Sequence, residues 1–169
     1  MLLGKAQKLA EAGHAGQFRK GGKIPYVEHC EIVVSYLIAL GIQDELILAT
    51  AYVHDLLEDT TITESDIASE LGETVLKKVM ALTKTAAMTK EEYLDRVSKE
   101  GDIFVVLIKA VDRICNTKDF VRDGKRDYAK KYFAKAGSVF ERLERDKEDL
   151  GVIYFRLLSL KSSVEKLIE

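Results

Sequence analysis

Apolar residues recur at helical spacing along almost the whole chain, and one proline, Pro25, interrupts its 169 residues. Apolar positions three and four apart line one face of a helix, whereas sandwiches and barrels normally need more turn punctuation. The pattern predicts helices over 2–12, 28–40, 44–57, 63–71, 73–82, 90–99 and 102–118, then two long amphipathic segments over 128–147 and 150–167. Gly13, Gly41 and Gly72 stand where three of these should stop, and Asp44 is an acidic N-cap candidate. Thr63 with Asp66 imitates a capping box. The run Ile103–Ile108 could be a strand alone, but its continuation through Lys109-Ala110-Val111-Asp112 suits a buried helix. Sustained alternation, internal repeats, low-complexity tracts and domain-splitting linkers are all missing. The expectation is one all-α domain, a multi-helix bundle spanning 1–169.

Charge and cysteine content exclude several classes of function. Lys+Arg 26 against Asp+Glu 28 leaves a net charge of −2, so no global field recruits nucleic acid or an anionic membrane. The longest purely aliphatic-aromatic run, Ile103–Ile108, falls far short of the ~18–20 residues of a membrane span. Met1-Leu2-Leu3 is followed at once by Gly4-Lys5, unlike a secretory signal, and Cys30 and Cys115 form no CxxC pair. These features together suit a reducing cytoplasm.

The chemistry-bearing residues fall into a few clusters. His54-Asp55 follows a largely apolar run and lies inside the predicted helix 44–57. Residues four apart share a helical face, so His54 should stack over Glu58 and Asp55 over Asp59. Read blandly, Glu58-Asp59-Thr60 is an acidic helix end running into solvent. Asp112 and Asn116 are also four apart, behind a run too apolar to face water. A buried carboxylate is costly unless paired or bound to metal, and the plain alternative is an Asp112–Arg salt bridge. His29 opens the second helix and gains interest only beside His54, Asp55 and Asp112. Two imidazoles and two carboxylates make a mixed N/O set suited to Mn²⁺, Fe²⁺ or Zn²⁺. The loop Arg19-Lys20-Gly21-Gly22-Lys23 carries positive charge but does not spell a P-loop. Cys30 and Cys115 read as small core residues, and His14, with no acidic neighbour in sequence, as structural or supporting.

The order His29, His54-Asp55, Asp112 is similar to the H…HD…D signature of HD-domain metal-dependent phosphohydrolases. The surrounding words narrow it. Ala12-Gly13-His14-Ala15-Gly16-Gln17-Phe18-Arg19-Lys20, Pro25-Tyr26-Val27-Glu28-His29, His54-Asp55-Leu56-Leu57-Glu58-Asp59-Thr60, Leu82-Thr83-Lys84 and Val111-Asp112-Arg113-Ile114-Cys115-Asn116 occur in order over roughly 6–120. They resemble the guanosine tetra/pentaphosphate hydrolase domain of Rel/SpoT enzymes, as a stand-alone small alarmone hydrolase, with the helices from 128 to 168 completing the bundle. The resemblance implies Mn²⁺-dependent (or other divalent-dependent) removal of the 3′-pyrophosphate of (p)ppGpp, giving GDP or GTP and pyrophosphate. It also implies roles: His29, His54, Asp55 and Asp112 hold the metal, and Glu58 and Asp59 orient or deprotonate water. Arg19 and Lys20 flank the nucleotide, and Asn116 meets the ribose or 3′-phosphate side. Cys30 stands where the family commonly has proline. Lys118 replaces a frequent arginine, keeping the charge but losing the bidentate fork. These departures bear on substrate preference more than on catalysis. The competing readings are an HD-domain hydrolase of another nucleotide and a non-catalytic nucleotide-binding HD module.

Overall fold

Helix ends sit where short polar side chains and glycines dictate. The computed structural model describes residues 1–20 and 22–169. Gly21, part of the basic loop singled out above, lies outside the described residues. Among those described, every regular element is a helix and no strand forms, as the periodicity predicts. None of these helices is long and apolar enough to cross a membrane.

Residues Met1–Thr85 form one compact unit. Its helices are α1 (Leu2–Gly13), α2 (Val27–Leu40), α3 (Glu45–Tyr52), α4 (Leu56–Asp59), α5 (Glu64–Leu71) and α6 (Glu73–Leu82). Asp44 caps α3 by accepting the Leu46 N–H at 2.8 Å, and Gly41 ends α2 in the left-handed region at φ 110°. Thr63 and Asp66 make the full reciprocal capping box at α5. Ala6, Ala49, Ile67, Val75 and Val79 meet in one buried cluster, drawn from α1, α3, α5 and α6. Gly13 lets the end of α1 approach α4 closely. A Cβ there would lie 2.6 Å from Leu56 Cδ2 and 3.1 Å from Ile62 Cγ1.

The predicted helix 44–57 is in fact two, broken at Val53, His54 and Asp55. In a continuous helix the Ala51 carbonyl would receive the N–H of residue 55. Here the His54 side chain reaches it, with Nδ1 2.7 Å from the oxygen. The Val53 N–H is shared between the Ala49 and Thr50 carbonyls, the tightening common at a helix terminus. His54-Asp55 therefore occupies a turn, a correction to its expected place inside a helix.

Residues Ala86–Glu169 form the second unit. It contains α7 (Lys90–Glu100), α8 (Ile103–Arg122), α9 (Arg126–Ala134), α10 (Gly137–Arg145), α11 (Lys147–Leu150) and α12 (Val152–Ile168). Asp102 caps α8 through the N–H groups of Phe104 and Val105. The segment from Val105 to Cys115 is buried on every face, and α9, α10 and α12 pack on α8. Arg113 joins α8 to α9: its guanidinium lies 3.4 Å from the Tyr132 ring centroid and donates to the Tyr132 carbonyl. The expected helix 128–147 divides near Ala136–Gly137, where glycine is the weakest helix former after proline. Gly151, at φ 53°, separates α11 from α12.

Candidate functional site

The first unit gathers two histidines and a carboxylate. On α2 the buried positions His29, Cys30, Val33, Val34 and Leu37 follow helical spacing, which turns His29 inward. His54 follows the buried segment Ile47–Ala51 of α3 and is itself 1% exposed. The two imidazole centroids are 5.5 Å apart. His54 Nε2 lies 3.2 Å from Asp55 Oδ2, and His29 Nε2 lies 3.8 Å from the same oxygen. One ligand atom from each of the three falls within 4.8 Å of the others.

The donor set fits a divalent cation. A carbonyl oxygen only accepts, so His54 Nδ1 carries the proton in its bond to Ala51, and a cation would be bound through Nε2, which lies on the Asp55 side of the ring. A carbonyl fixing the opposite ring nitrogen is the usual support of a metal-binding histidine. Mixed imidazole and carboxylate donors suit the first-row divalent ions.

Two exposed acids follow on the short helix α4. Asp55 still begins that turn, since its carbonyl accepts the N–H groups of Glu58 and Asp59. Glu58 Oε1 accepts the Lys84 backbone N–H at 2.5 Å. This gives the Leu82-Thr83-Lys84 word a physical role at the end of α6. Asp59 Oδ2 lies 2.9 Å from the Tyr26 hydroxyl, which is also 2.8 Å from Asp55 Oδ2. Burial, then the charges of Asp55 and Asp59, push the Tyr26 hydroxyl far above its ordinary range, so it remains a proton donor.

The basic loop closes at its base. Phe18 and Pro25 form an isolated antiparallel bridge, Arg19 N–H donates to Ile24, and Tyr26 N–H to Gln17. Arg19 is thereby carried to the Tyr26 ring, its guanidinium carbon 5.3 Å from the centroid. Lys20 is exposed. His14 is buried and stacks on Tyr26 at 4.4 Å between centroids. Tyr26, Gln17 and the Lys84 amide were not singled out by spacing. The available signals were that all three stand within the words that carry the resemblance, and that Tyr26 precedes His29 by three residues, on the same side of the helix start.

In the second unit Asp112 is 3% exposed and partnered within α8. Lys109 Nζ lies 2.9 Å from Oδ2, and Asn116 Nδ2 donates to Oδ1 at 2.5 Å. Lys109 thus supplies an ion pair to this buried carboxylate. Lys109 also lies 5.0 Å from the Tyr93 ring centroid. Cys30 and Cys115 are buried thiols, as read from sequence.

The HD domain family model matches residues 6–150. The chain is an HD-domain protein. The match runs beyond the expected 6–120 and takes in α9 and α10. This HD domain is 34% identical over 119 residues to a guanosine-3′,5′-bis(diphosphate) 3′-pyrophosphohydrolase of Haemophilus influenzae, covering 65% of the chain and 17% of that protein. It is 37% identical over 120 residues to the Aquifex aeolicus protein of the same name, covering 68% and 17%. A GTP pyrophosphokinase rsh of Brucella ovis is 34% identical over 142 residues, covering 74% and 18%. The chain thus spans less than a fifth of the length of these relatives. A solved structure of a metazoan ortholog of SpoT, which hydrolyzes ppGpp and plays a role in starvation responses, superposes with a TM-score of 0.78 at 23% identity. It covers 96% of this chain and 94% of its own, and establishes the likeness of fold.

Proposed function

We propose that this HD domain is a guanosine-3′,5′-bis(diphosphate) 3′-pyrophosphohydrolase, acting with Mn²⁺ on ppGpp or pppGpp to give GDP or GTP and pyrophosphate. The observation that carries the reading is the convergence of His29 and His54 on one oxygen of Asp55, with Glu58 and Asp59 a turn further along. The names of the Haemophilus and Aquifex relatives support the substrate. In this reading His29, His54 and Asp55 hold the ion with Asp112 as the fourth ligand. When bound, the ion supplies positive charge that polarises the phosphoryl group and acidifies water.

The remaining roles belong to the chain's own side chains. Asp59 and Glu58, both exposed, orient a water and take its proton; as that water adds to phosphorus the bond between phosphorus and the 3′ oxygen breaks, and the proton passes to the departing 3′ oxygen. Glu58 is held for this by the Lys84 amide. Arg19 and Lys20 take the base and phosphates by stacking and charge. Asn116 faces the ribose or 3′-phosphate side while its amide nitrogen orients Asp112. The family match crosses the Thr85–Ala86 boundary, which supports reading 1–169 as a single hydrolase domain. A cytoplasmic site of action in alarmone turnover belongs to the same proposal, and the two buried thiols are consistent with it.

The test is pyrophosphate release from ppGpp by the purified protein, with Mn²⁺ and with chelator. Manganese-dependent release supports the proposal. Release from other nucleotides with none from ppGpp would keep the site and discard the substrate.

A further inference from the structure

The Tyr26 hydroxyl has one proton and two carboxylates, Asp55 Oδ2 at 2.8 Å and Asp59 Oδ2 at 2.9 Å. Asp55 Oδ2 is also the oxygen that both histidines face. The same hydroxyl therefore touches the carboxylate read above as a metal ligand and the one read as handling water. Its ring is braced as well. His14, 3% exposed, stacks on it with 23° between planes, and His14 Nδ1 lies 2.9 Å from Gln17 Oε1. Gln17 Nε2 donates to the Asp59 carbonyl at 2.7 Å, so Oε1 is its acceptor and His14 Nδ1 the donor. Tyr26 N–H donates to the Gln17 carbonyl at 2.9 Å. The contacts form a closed circuit: Asp59 backbone, Gln17, His14, Tyr26 ring, Tyr26 hydroxyl, Asp59 side chain. Every member lies in the first unit.

We propose that Tyr26 is a positioning residue, fixing Asp59 against Asp55 through one shared hydroxyl and braced by His14 and Gln17. This rests on reading Asp55 as a metal ligand and Asp59 as an acid that handles water. A flexible exposed aspartate on a four-residue helix would otherwise sample several rotamers, and holding it in one conformation is worth more the closer it stands to the reacting water.

A double-mutant cycle in Mn²⁺ affinity tests the sharing without any nucleotide. The unbound ion is followed by its paramagnetic resonance signal in wild type, Tyr26→Phe, Asp59→Ala and the double variant. With the Asp59 carboxylate removed, the hydroxyl keeps Asp55 as its side-chain acceptor, so Tyr26→Phe should shift the Mn²⁺ Kd by about tenfold there. In the wild-type background the shift should be smaller by at least about threefold. Equal shifts in both backgrounds overturn the proposal. Phenylalanine keeps the stack on His14, and an unchanged unfolding temperature checks that the fold survives. At saturating Mn²⁺, Tyr26→Phe should lower kcat for ppGpp by about 10–100-fold with KM within about twofold. A kcat equal to wild type overturns the positioning of Asp59. If wild type itself leaves ppGpp intact, the substrate reading falls, while the Mn²⁺ cycle still decides whether the hydroxyl is shared.

Discussion

Between Tyr52 and Leu56 the backbone stops being helical and starts again, whereas α8 runs from Ile103 to Arg122 without a break. The two stretches carry the acids at the centre of the proposed chemistry, and they treat those acids differently. In the interrupted stretch one hydroxyl serves both Asp55 and Asp59, and exposure rises from His54 at 1% to the solvent-facing Glu58 and Asp59. In the continuous helix Asp112 is buried with an ammonium on one oxygen and an amide on the other. The first arrangement sets a carboxylate that two imidazoles face beside one open to solvent, which suits a proposed cation ligand next to an acid that handles water. The second neutralises a buried charge, so Asp112 supports the fold as well as the ligand role proposed for it.

Substitutions at the two aspartates sharpen the contrast. Asp55→Ala should abolish manganese-dependent turnover, by about a thousandfold or more, since a lost ion forfeits several kcal/mol of transition-state stabilisation. Its folding stability, read from the urea midpoint, should move by less than about 1 kcal/mol, because the lost hydrogen bond is offset by relief of two crowded carboxylates. Asp112→Ala should instead destabilise by about 3 kcal/mol, leaving the Lys109 ammonium buried without its carboxylate. Equal losses of stability in the two variants would break the comparison.

Smaller effects probe what holds the interrupted stretch in place. Gly13→Ala should cost about 1–2 kcal/mol, because its Cβ would press on Leu56, a side chain wholly buried at the start of α4. Thr63→Ala removes the α5 cap and should cost about 1 kcal/mol at neutral pH. Hydrogen bonds from the Thr63 side chain and backbone hold the Asp66 carboxyl below the usual carboxylate range. A depressed folded pKa contributes stability that is present above the unfolded value and is lost as pH falls through the folded one. The gap between wild type and Thr63→Ala should therefore narrow in acid, as unfolding midpoints at several pH values will show.

The local devices were legible in the residues themselves. The helix Glu73–Leu82, the Asp44 cap and the Thr63–Asp66 box depend on neighbours a few positions apart, and the pattern placed all three. The break after Tyr52 was not legible. Apolar periodicity continues through it, and its cause is a side chain, His54, reaching the Ala51 carbonyl. The bend near Ala136 escaped for a similar reason, since the amphipathic pattern crosses it unchanged. In the site, His54 and Asp55 stood out as polar residues after an apolar run, while His29 needed the family resemblance. Tyr26 acquires its place only when the chain folds back, 29 and 33 residues from its two partners.

The central claim is that His29, His54 and Asp55 form the core of a metal centre. Anomalous scattering at the manganese edge, from crystals grown with Mn²⁺, addresses it directly. The account predicts a single strong peak at bonding distance from Nε2 of both histidines and from Asp55 Oδ2. A peak confined to the exposed carboxylates of Glu58 and Asp59, or none in the first unit, would contradict it.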